Sequence, residues 1–141
     1  MQKDIDIIIY GATGFTGQLC VKYFQSLNTG VNWAIAGRDQ EKLQKVALDN
    51  SVEVEILIAD SDDEAALDIL TSRATVILST TGPFHRYGSK LVASCVKNSA
   101  NYVDITGENF WVKGLIAKHH EEASEKGIRI IPSCGYDSVS Y

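Results

Sequence analysis

The residues with the clearest capacity for chemistry lie near the N-terminus. They are Gly11, Thr13, Gly14, Phe15, Thr16 and Gly17, in the run Tyr10-Gly11-Ala12-Thr13-Gly14-Phe15-Thr16-Gly17. The glycines recur three apart, as G-x-x-G-x-x-G. An apolar stretch, Ile5–Tyr10, precedes them, and an amphipathic stretch opens at Phe15. Strand, glycine turn and helix, in that order, make an anion-binding device. Gly11 can take the tight turn, where a Cβ would be costly. Gly14 lets a bound group approach the backbone, and Gly17 lets the helix lie close to the strand. The first N–H groups of a helix lack internal acceptors and carry the positive end of its dipole. A pyrophosphate supplies those acceptors, and the hydroxyls of Thr13 and Thr16 add donors. A glycine triplet alone is only a turn. After an N-terminal strand and inside a strand-helix-strand unit, it has the context that dinucleotide binding requires.

Further candidates end the other apolar stretches. The second stretch ends Ala36-Gly37-Arg38-Asp39. An NAD site usually carries an acid there, on the ribose 2′-hydroxyl. Here a glycine takes that place and Arg38 follows, a guanidinium able to hold a 2′-phosphate through paired, charge-assisted bonds. NADP is therefore the expected cofactor, with NAD second because Asp39 could contact the ribose. Asp60 ends the third stretch, where a carboxylate can reach the adenine or cap a helix; the two roles weigh equally. Ser79, Thr80, Thr81 and Gly82 end the fourth, and their backbone is expected to border the ribose and nicotinamide, Thr81 and Gly82 above all.

No catalytic acid or base is assigned. Asp104, Glu108 and Asp137 all follow strands, where α/β sites form, but acids so placed more often cap helices and tie loops. His85 faces the cofactor from a loop and could donate a proton, although a loop histidine is more often an ordinary surface residue. His119 and His120 are adjacent on a helix and so point apart, and no Cys/His cluster has metal-ligand spacing. None of the six tyrosines is followed four residues later by lysine, so the Tyr-x-x-x-Lys pair of short-chain dehydrogenases is absent. Cys134 is the one tempting nucleophile, as in semialdehyde dehydrogenases, but it has no evident partner base. It is expected instead as a small residue packed at a strand end.

These side chains need a scaffold that gathers strand ends. Apolar runs of strand length alternate with helical periodicity throughout. Strands are expected over Ile5–Tyr10 and about 33–36, 54–59, 75–79, 102–105 and 128–131. Helices are expected over about 15–27, Gln40–Asp49, from the 61–64 segment onward, 89–98 and 110–126. Leu19, Cys20, Tyr23, Phe24 and Leu27 form the expected inward stripe of the first helix, which Asn28-Thr29-Gly30 ends; Leu43, Val46 and Ala47 form that of the second. Asp39 is expected to cap the second helix. Ser61 to Glu64 has capping-box spacing for the third, and Gly127 is expected to end the last. Such alternation implies an α/β fold, a doubly wound, parallel six-stranded sheet of Rossmann type with right-handed crossovers. The expected strand order is 3-2-1-4-5-6, with the ligand at the crevice where the order reverses. The 11–17 turn and the 81–88 loop should face each other there.

Composition narrows the classes. The 141 residues suffice for one domain with a real core, and 45% hydrophobic with 22% charged residues is ordinary globular usage. A net charge of −5 with no Lys/Arg-rich run argues against nucleic acid. No apolar run has the length of a membrane span and no signal-peptide pattern opens the chain. Three widely spaced cysteines point to reduced thiols and a cytoplasmic location.

Taken together, the 11–17 turn, Ala36-Gly37-Arg38, Gly82-Pro83-Phe84 with Tyr87-Gly88, Tyr102-Val103-Asp104-Ile105-Thr106-Gly107-Glu108 and Cys134-Gly135-Tyr136-Asp137-Ser138 form a recognisable series. In these motifs and their order, the chain resembles the N-terminal NADP-binding domain of the saccharopine dehydrogenase-like oxidoreductases, a group related to the trans-acting enoyl reductases. The similarity runs over essentially all 141 residues, with Tyr136 standing where phenylalanine is expected. It implies NADP(H)-linked hydride transfer, with a small-molecule substrate held mainly by a second domain. On that basis residues 1–141 are expected to be a truncated N-terminal part of a two-domain protein, inactive alone. Apolar surface left near the strand ends would open self-association, as a homodimer. A non-catalytic module that senses NADP is the alternative from another class.

Overall fold

The sequence Ile5–Tyr10 (β1) alternates its side chains between two cores. Ile8 and Tyr10 enter one and Ile9 the other, and all three are buried. A strand apolar on both faces needs cover on both, which only helices on each side of a sheet supply. That is the arrangement in the computed structural model, which describes residues 3–27 and 30–135. Trp33–Gly37 (β2), Glu55–Ile58 (β3), Ala74–Ser79 (β4), Asn101–Asp104 (β5) and Ile130–Ile131 (β6) complete one parallel sheet, in the order β3-β2-β1-β4-β5-β6. The Rossmann topology is thus as expected from the sequence.

Phe15–Ser26 (α1) and Gln40–Asp49 (α2) cover one face, through Val21, Leu43, Val46 and Ala47. Glu64–Arg73 (α3), Ser89–Lys97 (α5) and Asn109–Lys126 (α6) cover the other, through Leu67, Leu70, Leu91, Val92, Trp111 and Leu115. Between β4 and α5 lies one short turn of helix, Phe84–Tyr87 (α4), after a cis Gly82–Pro83 peptide. The sequence suggested only a loop there. Asp39 caps α2 as expected, its side chain accepting from the Lys42 N–H at 3.1 Å, and Gly127 ends α6 in the left-handed conformation, φ +68°.

Several expectations are corrected. The inward face of α1 is Gly17, Cys20, Val21 and Phe24, while Leu19 and Tyr23 are exposed. The helix is rotated because Gly17 must lie against the turn that follows β1. An ideal Cβ there would come within 2.0 Å of the Gly11 carbonyl oxygen. The cap of α3 is Asp63, accepting from the Ala66 N–H at 3.1 Å, and not a Ser61–Glu64 box. Strand β6 has two residues rather than four, and the run after it turns at once. Asn28, Thr29, Tyr136, Asp137 and Ser138 lie outside the described residues.

Register brings the strand ends level. Tyr10 pairs with Ala36 on one side and Ser79 on the other, and Ser79 pairs with Asp104. The segments that follow β1, β2, β4 and β5 therefore meet along one edge of the sheet.

Candidate functional site

At that edge the backbone leaves β1 at Gly11, with φ +87°. The Gly11 N–H donates to the Ala36 carbonyl at 2.9 Å, which pins the turn to β2. The chain then enters α1 through Gly14, whose N–H donates to the Gly11 carbonyl at 3.1 Å. No side chain caps this helix, so the amides of its first turn remain available to an anion. On the other side, β4 runs into Thr80 and Thr81. The Thr80 N–H donates to the Tyr10 carbonyl at 3.0 Å, and its hydroxyl donates to the Gly11 carbonyl at 3.2 Å. The two walls touch so closely that a Cβ on Gly11 would sit 2.2 Å from Thr81 Oγ1.

Between the walls lies a crevice of about 270 Å³. Of the residues singled out from the sequence, it brings together Gly11, Thr13, Gly14, Arg38, Thr81 and Gly82. Phe15 does not line it and is 84% exposed, and neither Thr16 nor Gly17 is on its wall. Gly17 is buried beneath the turn, where it allows the helix to approach. Asp60 is not on the wall either. Its carboxylate accepts from the Asp62 N–H at 2.9 Å and shapes the turn before α3, while its neighbour Ser61 lines the crevice. Arg38 is exposed and makes no hydrogen bond or ion pair among the described residues. Asp39 is spent on its helix cap.

Four wall residues carry no expectation of ligand contact from the sequence: Tyr10, Gly37, Ser61 and Tyr87. Tyr10 was legible only as the last residue of a strand. Its hydroxyl donates to the Ala59 carbonyl at 3.0 Å. Burial, with the carboxylate of Asp60 nearby, pushes its pKa far up and keeps the phenol neutral, against a smaller opposing pull from Arg38. Ser61 belongs to a segment whose spacing suggested a cap, and Tyr87 belongs to the unexpected helix α4.

The residues fit a dinucleotide on two observations. The turn at Gly11 and Gly17 has room for no side chain. Thr81 Oγ1 is a buried hydroxyl on the crevice wall with no hydrogen-bond partner among the described residues. Such an orphan costs free energy unless a ligand atom meets it.

The acids after β5 are engaged in structure. Asp104 is 2% exposed. Its carboxylate accepts from the Tyr102 hydroxyl at 2.6 Å, the Thr106 N–H at 3.0 Å and the Ser133 N–H at 2.9 Å. It thereby ties β5 to the turn after β6. Burial and the adjacent Asp104 push the Tyr102 phenol far up, so it stays a donor. Glu108 reaches across to the start of α4. Its carboxylate accepts from the Phe84 N–H at 2.6 Å and the His85 N–H at 3.1 Å, and pairs with His85 Nδ1. Thr106 supports it through its hydroxyl at 3.3 Å. Burial works to raise the Glu108 pKa, but the bonds from His85 and the two amides outweigh it and hold the carboxyl below the usual range. Neither acid provides a side-chain cap for α6.

His85 is thus committed to Glu108, with its ring centroid 5.7 Å from that of Phe110, and does not line the crevice. Cys134 is exposed rather than packed, and its N–H donates to the Asp104 carbonyl at 2.7 Å. His119 is buried and His120 exposed, yet both line one cavity with Leu115, Ile116 and Ile130, which corrects the expectation that they point apart. Among the described residues no three His, Cys, Asp or Glu side chains group to hold a metal, and no helix is long and apolar enough to cross a membrane.

Comparison with known proteins follows the same lines. Residues 7–131 match the family described as the saccharopine dehydrogenase NADP binding domain. Over 98% of its length the chain is 37% identical to a trans-acting enoyl reductase of Mycobacterium tuberculosis (strain ATCC 25618 / H37Rv) and 38% identical to that of Mycobacterium leprae (strain TN). It is 34% identical, over 95% of its length, to a lipid droplet localized protein of Caenorhabditis elegans. In each case the chain spans 34% of the relative, about one third of its length. Among solved structures, apo saccharopine dehydrogenase (L-Glu forming) from Saccharomyces cerevisiae superposes with a TM-score of 0.74 at 18% identity, over 93% of this chain and 27% of that one. The crystal structure of a putative betaketoacyl-ACP reductase gives 0.66 at 16% identity, over 94% and 72%. These two likenesses concern the fold. By name, the enoyl reductases and the saccharopine dehydrogenase are oxidoreductases.

Proposed function

The chain belongs to the saccharopine dehydrogenase NADP-binding domain family, and from that premise we propose that it holds NADP(H) in the crevice and supports hydride transfer to or from a substrate. The observation that carries this reading is the closed pair of walls, with Gly11 against Thr81 and the uncapped start of α1 beside them. When bound, NADP(H) supplies or takes up the hydride. The protein's part is to bind and orient. Amides of the 11–17 turn receive the pyrophosphate, with Thr13 beside them. Arg38, unpaired at the end of β2, takes the 2′-phosphate. Thr81 and Gly82 border the nicotinamide half. The names of the mycobacterial relatives make an enoyl group the first acceptor to try. In this reading the substrate is held mainly by protein beyond this domain, as the length of the relatives allows.

A thermal-shift titration with NADP(H) and NAD(H) in parallel tests the reading. At about 100 times its dissociation constant, a ligand that binds only the folded state adds roughly 2.7 kcal/mol. The expected result is a clear shift with NADP(H) and a smaller one with NAD(H). No shift with either removes the crevice as a dinucleotide site.

A non-catalytic, NADP-sensing module is the second reading. The engagement of both Asp104 and Glu108 in structural hydrogen bonds favours it, since neither is free to move a proton. Sustained turnover of an enoyl, carbonyl or imine acceptor by the protein would exclude it.

A further inference from the structure

Glu108 lies outside the crevice, yet every bond its carboxylate accepts from another segment comes from Phe84 and His85, which stand between the wall residues Gly82 and Tyr87. That carboxylate receives the Phe84 and His85 amides, at 2.6 and 3.1 Å, from 24 and 23 residues away in sequence. These two amides open α4, which has no side-chain cap of its own. The segment runs from Thr81 and Gly82 on the crevice wall, through Phe84, to Tyr87 on the same wall. Phe84 is buried, its ring centroid 5.9 Å from that of Trp111. The segment is thus held at its middle by that carboxylate together with the buried Phe84 ring. That carboxylate is itself anchored by Thr106, whose hydroxyl accepts from the Glu108 N–H at 3.1 Å and donates to its side chain at 3.3 Å.

We propose that Glu108 is a positioning residue for the nicotinamide half of the crevice: it sets where Thr81, Gly82 and Tyr87 stand, and so governs dinucleotide binding without touching the ligand. The proposal rests on the NADP(H) reading above. Chemically, an acceptor-only group suits the position, because each of its two oxygens faces a backbone N–H that can only donate, Phe84 at one and His85 at the other. A primary amide of the same shape would turn a donor toward donors.

The test is Glu108→Gln, with two ligands titrated against the purified protein well below its melting temperature. One is NADPH, which spans both halves of the crevice. The other is adenosine 2′,5′-bisphosphate, which carries only the half expected at Arg38. Loss of a charge-assisted anchor should weaken NADPH roughly tenfold while the bisphosphate stays within about twofold. A merely structural fault would weaken both ligands together, so equal losses overturn the proposal. Unchanged NADPH binding overturns it too. If the wild-type protein binds neither ligand, the dinucleotide reading itself falls. If Glu108→Gln yields no folded protein, Thr106→Val removes the supporting hydroxyl at constant shape. It should give the same contrast between the two ligands at smaller size, and equal effects on both would again overturn the proposal.

Discussion

Gly17 and Gly14 stand three residues apart in one motif, and the structure gives them opposite tolerances. A Cβ on Gly17 would meet the Gly11 oxygen at 2.0 Å and Ala12 Cα at 2.8 Å, both backbone atoms that cannot swing away. Gly17→Ala should therefore destabilise the domain by about 1–3 kcal/mol, the range for overpacking, read as a lower urea midpoint. At Gly14 the nearest atom is the Gly11 oxygen at 3.6 Å, an ordinary contact. Gly14→Ala should leave the urea midpoint nearly unchanged and, because Gly14 lines the crevice, weaken NADP(H) in a binding titration. Equal midpoints for the two variants would show that α1 is not held against the turn at Gly11 and Ala12 as described. Arg38 belongs to the same scale. It is exposed and unpaired among the described residues, so its removal leaves no buried partner behind. Arg38→Ala should cost NADP about 1.5–3 kcal/mol, roughly ten- to a hundredfold in affinity, and NAD much less. Equal losses on both would remove Arg38 from the 2′-phosphate.

The segment after β5 is an element-scale device, joining β5, α4 and the turn after β6 through two carboxylates. Asp104→Asn keeps the shape but turns one acceptor into a donor among three donors, in a site 2% exposed. The expected cost is about 1–3 kcal/mol of folding stability, read by denaturant unfolding. Glu108 gives the element a pH dependence with a definite sign. Its folded pKa is held down, against burial, by His85 and the amides of Phe84 and His85. A depressed folded pKa means that its stabilisation is fully present above the ordinary carboxyl value, about 4.3, and is lost as pH falls through the folded value. Unfolding midpoints should therefore be level from neutrality to about pH 5 and then decline, and the decline should be shallower in Glu108→Gln. An identical acid limb in both proteins would mean that the carboxylate does not carry that stabilisation.

At the scale of the whole molecule, the sheet separates stability from binding. Leu70 is 1% exposed, on the last turns of α3 just before β4 begins, at the end of the sheet away from the crevice. Leu70→Ala should cost about 2–5 kcal/mol, a large part of a typical domain's 5–15. Below the melting transition, the folded fraction should still bind NADP(H) with wild-type affinity. A parallel fall in affinity would show that the core and the crevice are coupled. The sequence alone was enough for the architecture, because alternating periods of two and 3.6 and one glycine turn leave few ways to bury six short strands. It was enough, too, for Gly11, Thr13, Gly14, Arg38, Thr81 and Gly82 on one crevice, because each is tied to the end of a strand whose order follows from the topology. Tertiary structure alone decided the rest. The rotation of α1 depends on how near Gly17 lies to Gly11, a distance between backbones that no apolar pattern records. The role of Glu108 depends on amides more than twenty residues away, and those donors carry no side-chain signature. Local periodicity is written along the chain, whereas partners met across a sheet edge exist only once the strands are level.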